Sequence, residues 1–213
     1  MSNSPYLGKP IAEWSAITDH LIALHPLSPD EIVETVLGSW DDIFNSKIGS
    51  FYIGKEITPG PQIMSFLLHE LVAHYLTLKH PGIYKVGTLK NEKDIHCITN
   101  CDLSVEIKAS SSPNKIAANR SYAQPETAKD KKNKNGYYIA INFEKFSDKK
   151  EKPEILLIRF GYLEHSDWIP QKSESGQQAS LPPDVYLHKL KVIYQKPKIV
   201  KVKAARIKAT KIK

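Results

Sequence analysis

The sequence predicts an α/β domain built on a mixed central β-sheet, with a helical region at its N-terminus. Three observations predict it. Apolar residues recur at helical spacing in three segments before residue 80, and from residue 94 onward the period changes to two. The chain has 213 residues, 41% of them hydrophobic and 25% charged, which is enough to bury one sizeable core. No stretch approaches the ~18 uninterrupted apolar residues that span a bilayer.

Trp14, Ile17, Leu21 and Leu24 share one face of a first helix. Ser28-Pro29-Asp30-Glu31 reads as a capping box, with Ser28 as N-cap, Pro29 at the first helical position and Glu31 reaching back. Ile32, Val33, Val36, Leu37, Trp40 and Ile43 carry that second helix on an apolar face. Thr58-Pro59-Gly60-Pro61 breaks the chain, and a third helix over 62–79 stops before Pro81-Gly82. Asp94 to Ile98 and Leu103 to Lys108 then alternate as strands, joined by the turn chemistry of Thr99-Asn100-Cys101-Asp102. Residues 125–136 are polar and lysine-rich, an exposed loop. Tyr137 to Phe143 and Glu154 to Tyr162 read as two more strands, 171–183 as a polar loop, and Val185 to Tyr194 as a last strand. Helices followed by several strands give the α/β class.

The formal net charge of +7 is unevenly spread. Ten of the 30 basic residues fall in 189–213, which contains no Asp or Glu, so the preceding chain is slightly acidic. Such an arm follows a phosphate backbone or serves as a solvated tail. The two cysteines, Cys97 and Cys101, do not make a disulfide scaffold and favour a reducing compartment. No basic patch followed by an apolar run opens the chain. A cytoplasmic protein with no membrane partner is therefore expected.

The chemistry concentrates at Asp94 and Glu106-Ile107-Lys108. On the second strand Leu103, Val105 and Ile107 face the core, whereas Ser104, Glu106 and Lys108 face away, placing a carboxylate and an ammonium ~7 Å apart. Asp94 joins that face if hairpin partners sum to 200, which sets Asp94 opposite Glu106; a slip of one residue would turn it away. Two carboxylates hold Mg²⁺ through oxygen ligands, and the metal acidifies a bound water and neutralises phosphate charge. The lysine orients that water or helps deprotonate it. The competing reading is a solvated strand face bearing a salt bridge.

Glu92-Lys93-Asp94, Glu106-Ile107-Lys108-Ala109-Ser110-Ser111 and Asn119-Arg120-Ser121-Tyr122-Ala123 together resemble the PD-(D/E)xK nucleases, and more narrowly the ScaI-like family of type II restriction endonucleases. Ser4-Pro5-Tyr6 with Trp14, Phe66 to Leu71, Asp167-Trp168-Ile169 and Gly176-Gln177-Gln178-Ala179 extend the resemblance over roughly residues 4–190. It implies a restriction-endonuclease-like core in one domain over 1–195, with a helical N-terminal region (1–60) and a catalytic core (61–195). The basic C-terminal arm, 196–213, lies outside it. The resemblance also implies Mg²⁺-dependent hydrolysis of double-stranded DNA within a palindrome by a homodimer, with a companion methyltransferase acting on the same site. Asp94 and Glu106 match the metal ligands, Lys108 the catalytic lysine, and Glu70 an acidic residue on the helix before the hairpin. Lys93 departs from the family's pattern by replacing its proline. From the helix alone, Glu70 is either a metal-supporting carboxylate or a boundary residue bonded to His74.

His69-Glu70-Leu71-Val72-Ala73-His74 is not a zinc-protease motif, because five residues leave the imidazoles ~140° apart around the helix. Cys97, Cys101 and His96 lack a second ligand pair, and the two cysteines read as ordinary buried thiols. Asn114, Lys115, Asn119, Arg120, Gln177 and Gln178 are candidates for DNA contact, since Asn and Gln pair two-pronged with adenine and Arg with guanine. Arg120 and Tyr122 read equally as a structural pair or a phosphate clamp. Lys131, Lys132 and Lys134 read as a solvated loop, and Trp40 and Trp168 as packing residues. The alternatives are a structure-selective nuclease for junctions or repair, which would ignore sequence, and a non-catalytic DNA-binding protein, which would never nick.

Overall fold

A computed structural model of the chain describes residues 4–124, 132–147, 152–173 and 175–197. Three helices come first: α1 (Ile11–Ala23), α2 (Pro29–Asn45) and, after the hairpin of β1 (Lys47–Ile48) and β2 (Phe51–Tyr52), α3 (Pro61–Lys79). That hairpin turns on Gly49, whose φ of 63° suits glycine, and it interrupts the region read as helical. The strands β3 (Tyr84–Val86), β4 (Ile95–Cys97), β5 (Val105–Ser110), β6 (Ala117–Asn119), β7 (Gly136–Phe143), β8 (Ile155–Leu163), β9 (Ile169–Pro170) and β10 (Gln178–Ser180) follow. The short helix α4 (Pro183–His188) and β11 (Leu190–Gln195) complete the described chain.

The central sheet runs β11-β8-β7-β5-β4-β3. Only the β5–β7 pair is parallel; the other neighbours are antiparallel, so the sheet is mixed as expected. Every residue of β7 is buried, which explains its nearly continuous apolar sequence beside a parallel neighbour. Alternate residues feed two cores. Ile139 and Ile141 join Ile107, Phe160 and the inner faces of α2 and α3. Tyr138 and Ala140 face the other way, onto Trp168, Ala179 and Leu181. That second face is roofed by a three-stranded sheet, β6-β10-β9. Trp40 and Trp168 are both buried packing residues, with Trp40 Nε1 donating to Pro153 O at 2.8 Å.

Several details differ from the sequence reading. Cys97 is a buried thiol as expected, but Cys101 is exposed, because it opens the turn between β4 and β5. The face of α1 buried deepest is Thr18 and Ile22, while Leu24 lies past the helix end and is exposed. The cause is polar: Thr18 Oγ1 donates to His188 O and meets the Tyr6 hydroxyl, both at 2.8 Å, which pulls that flank inward. Ser28 does cap α2, accepting from Glu31 N at 3.2 Å. The Glu31 carboxylate does not reach back; it turns to His80 Nε2 at 2.8 Å. Part of 171–183, read as a loop, is strand β10, because Gln178–Ser180 finds partners on both sides in β6 and β9. Pro182-Pro183 starts a helical turn, so the last strand begins at Leu190 rather than Val185. Three cations counted with the basic C-terminal segment belong to the body. Lys189 is buried against Glu164 and Asp167, Lys191 pairs with Asp19, and Lys196 pairs with Glu144 and Glu154. The arm beyond residue 197 and Lys131 lie outside the described residues.

His25 ties the helical region to the sheet. Its Nδ1 accepts from Leu27 N at 3.1 Å, so Nε2 carries the proton donated to Leu103 O at 3.1 Å. Burial lowers its pKa from 6.5 to about 4. The unfolded chain therefore takes up the proton first. Stability from this group is complete above pH 6.5 and falls by roughly 3 kcal/mol as the pH drops through 4. Denaturant unfolding of wild type and His25→Gln should show a gap that closes between pH 7 and pH 4. A gap independent of pH contradicts the assignment.

Candidate active site

Asp94 is delivered by the turn between β3 and β4. Glu92 closes that turn, accepting from Thr88 N at 2.9 Å and Leu89 N at 3.2 Å while pairing with Lys85 at 2.6 Å. Lys93 is buried. It donates to Asn135 O at 2.8 Å and lies 5.0 Å above the Tyr138 ring, tying the turn to the start of β7. The pair Ile95↔Val105 fixes the hairpin register at the sum that sets Asp94 opposite Glu106. Asp94 Oδ2 accepts from Ile107 N at 2.6 Å, so the carboxylate lies against β5. Glu106 and Lys108 project beside Tyr138 and Ala140, toward the roofing sheet.

The two carboxylates are densely contacted. Glu106 is 3% exposed. Its Oε1 accepts from Lys108 Nζ at 2.5 Å and from the Tyr122 hydroxyl at 2.6 Å. Its Oε2 is buried without a directed hydrogen bond and lies 2.5 Å from Lys132 Nζ. The same ammonium is 3.1 Å from Asp94 Oδ1, and His69 Nε2 is 3.0 Å from Asp94 Oδ2. Burial alone would raise the Asp94 carboxyl; the His69 hydrogen bond and the charges of His69, Lys132 and Lys108 outweigh it and hold it well below the usual range. Burial and Asp94 oppose ionisation of Glu106, but Lys108 and Lys132 keep its pKa lowered. Burial lowers the His69 pKa, and the Asp94 hydrogen bond and charge more than reverse this. Both carboxylates are therefore ionised at neutral pH.

Among the described residues no set of three or more His, Cys, Asp and Glu is arranged to hold a metal. Asp94 and Glu106 still fit a hard divalent ion. Two carboxylates suit Mg²⁺, which keeps water or phosphate oxygens in its other positions. The position between Asp94 Oδ1 and Glu106 Oε2 already draws a cation, the Lys132 ammonium.

Glu70 sits on α3 with its side chain 42% exposed and Oε1 3.4 Å from His69 Nδ1. It borders the site through His69, and its ion-pair neighbour is His69 rather than His74. The roofing sheet brings Asn119 and Gln178 together as direct cross-strand partners. Both line a cleft of about 400 Å³ with Glu106, Lys108 and Tyr122. Arg120 donates to Ser173 O at 2.9 Å and Gly176 O at 2.8 Å, holding the loop before β10. Gln177 is exposed at the end of that loop, and its carbonyl accepts from Arg120 N at 2.8 Å. Asn114 and Lys115 are not brought to the cleft. They line a separate cavity of about 700 Å³ with Arg159 and Tyr186, behind Asn142.

His69 and Lys132 are the site neighbours that sequence reasoning did not select. His69 enters the sequence reading only as part of the Phe66 to Leu71 match and of a rejected zinc motif, and Lys132 reads there as part of a solvated loop. Lys134 also departs from that reading, since it is buried and donates to Ser121 O and to Gln124 O.

The family model described as ScaI restriction endonuclease matches residues 4–194. The type II restriction enzyme ScaI of Streptomyces caespitosus is 44% identical over 183 residues, covering 85% of this chain and 80% of that relative.

Proposed function

The chain belongs to the ScaI restriction endonuclease family and is a site-specific deoxyribonuclease. From that premise we propose that it is a Mg²⁺-dependent enzyme that hydrolyses both strands of a short DNA palindrome as a homodimer. A companion methyltransferase would protect the same sequence in the cytoplasm. A two-fold dimer suits two equivalent half-sites. The observation that carries the reading is that Asp94 lies against β5 beside Glu106, while Glu106 and Lys108 line a cleft shared with Asn119 and Gln178.

Asp94 and Glu106 would hold the divalent ion. When bound, the ion supplies a more acidic water and charge neutralisation at the phosphate. Lys108 is placed to orient the attacking water and to steady charge on the phosphate. Tyr122 fixes Glu106 through its hydroxyl, while Ile107 N and His69 fix Asp94. Glu70 acts on the site through His69. Arg120 orders the loop that carries Gln177 toward DNA; Asn114 and Lys115, outside the cleft, are assigned to the phosphate backbone.

Asn119 and Gln178 are assigned to base reading, because two adjacent amides offer paired donors and acceptors to neighbouring bases. Gln178→Ala should lower cleavage at the preferred site by roughly ten- to a hundredfold. It should leave duplex binding in EDTA nearly unchanged. An unaltered site preference and rate would remove Gln178 from this role.

The function itself is tested by incubating the protein with unmethylated phage-sized DNA in Mg²⁺ and in EDTA. Discrete fragments that require Mg²⁺ support it. Cleavage confined to branched DNA, or no cleavage, contradicts it.

A further inference from the structure

Lys132 stands where the cleft needs a cation. Its Nζ lies 3.1 Å from Asp94 Oδ1 and 2.5 Å from Glu106 Oε2. Lys108 already balances one carboxylate through Glu106 Oε1 at 2.5 Å. The two carboxylates and the ammonium groups of Lys108 and Lys132 balance, and protonated His69 beside Asp94 is offset by Glu70 next to it, so the cluster carries no net charge. A divalent ion added to it would leave a partly dehydrated site at +2, an arrangement low local polarity opposes strongly. A DNA phosphate reverses the balance by offering Lys132 another anion and adding negative charge beside the ion.

The placement of Lys132 makes this exchange feasible. Its side chain is one-quarter exposed, while the chain on its C-terminal side is pinned. Lys134 donates to Ser121 O and Gln124 O, and Asn135 O accepts from Lys93. The ammonium can therefore swing on a fixed stem.

We propose that Lys132 is a resident cation that excludes divalent metal from the DNA-free enzyme and leaves for a DNA phosphate, so that metal and duplex load together. The inference rests on Asp94 and Glu106 being the metal-holding pair. It gives Lys132 a binding role separate from that of Lys108. The physical consequence is protection: a nuclease without DNA carries no loaded metal.

The test is calorimetric titration of the DNA-free protein with Mn²⁺ alone, in wild type, Lys132→Met, Lys132→Arg and Glu106→Gln. Circular dichroism checks that each variant is folded. Lys132→Met should bind Mn²⁺ at least roughly tenfold more tightly than wild type, because the cation that competes for the two carboxylates is removed. Lys132→Arg should stay close to wild type, and the gain should vanish in the Lys132→Met, Glu106→Gln double variant. In EDTA, Lys132→Met should bind duplex more weakly, with a salt dependence shallower by about one phosphate contact.

Equal Mn²⁺ affinities in wild type and Lys132→Met, or binding by neither, overturn the inference. If Glu106→Gln nevertheless abolishes wild-type binding, the metal-holding pair stands and only the role of Lys132 falls. Binding indifferent to Glu106→Gln overturns both. An unchanged duplex affinity and salt slope overturn the exchange with phosphate.

Discussion

Glu106→Gln should abolish DNA cleavage, lowering the single-turnover rate by at least roughly a thousandfold, since a metal held by carboxylates supplies several kcal/mol to such a reaction. The substitution keeps the side chain's shape, so the effect isolates charge. Glu106 is the hub of the cleft: Lys108 and Tyr122 meet one oxygen and Lys132 the other. An amide would offer one weak oxygen where two cationic groups, and the proposed metal, call for a carboxylate. Duplex binding in EDTA should survive or tighten, because a negative charge is removed beside the phosphate path. Fluorescence anisotropy beside the cleavage assay separates these effects. Parallel loss of binding and cleavage would show a folding defect rather than a catalytic one.

Lys189→Met should cost roughly 3–5 kcal/mol of stability, the usual result of stranding a buried charge. Lys189 is 2% exposed. Its ammonium lies 2.6 Å from Glu164 Oε2 and 2.8 Å from Asp167 Oδ1, and 4.2 Å and 4.4 Å from the Tyr6 and Trp14 rings. It joins the N-terminal segment, the turn after β8 and the entry to β11 at one point. Burial raises the Asp167 carboxyl, and Lys189 opposes that rise, so the carboxylate loses its main support when the lysine is removed. Urea unfolding at pH 7 measures the loss. A change under 1 kcal/mol would mean that water reaches these carboxylates.

The register of the hairpin that builds the site was legible in the sequence, although its strands run Ile95–Cys97 and Val105–Ser110 rather than 94–98 and 103–108. Alternation assigned the faces of Glu106 and Ile107, and the demand that Asp94 share the Glu106 face fixed a register that Ile95↔Val105 obeys. The three long helices were legible for the same reason, since periodicity is a local property; the one-turn α4 is too short to show a period. The small roofing sheet was not. Its strands are three, three and two residues long, and β6 and β10 lie far apart in sequence. No local pattern reports such a pairing, so Asn119 and Gln178 were separate candidates before they were neighbours. Lys132 and Lys134 escaped for a related reason. A lysine in a polar run reads as solvated unless one knows that a buried carboxylate, or a cluster of carbonyls, lies within reach. Lys189 was misassigned to a basic tail because charge along a chain says nothing of the acids that meet it from Glu164 and Asp167.

The central claim is that this cleft cuts DNA at one sequence. Sequencing the ends of every fragment from a Mg²⁺ digest, with Glu106→Gln in parallel, tests it most directly. The account predicts ends that converge on one short palindrome, cut at symmetry-related positions in both strands, and none with the variant. Ends scattered over unrelated sequences, or an identical pattern from Glu106→Gln, would contradict it.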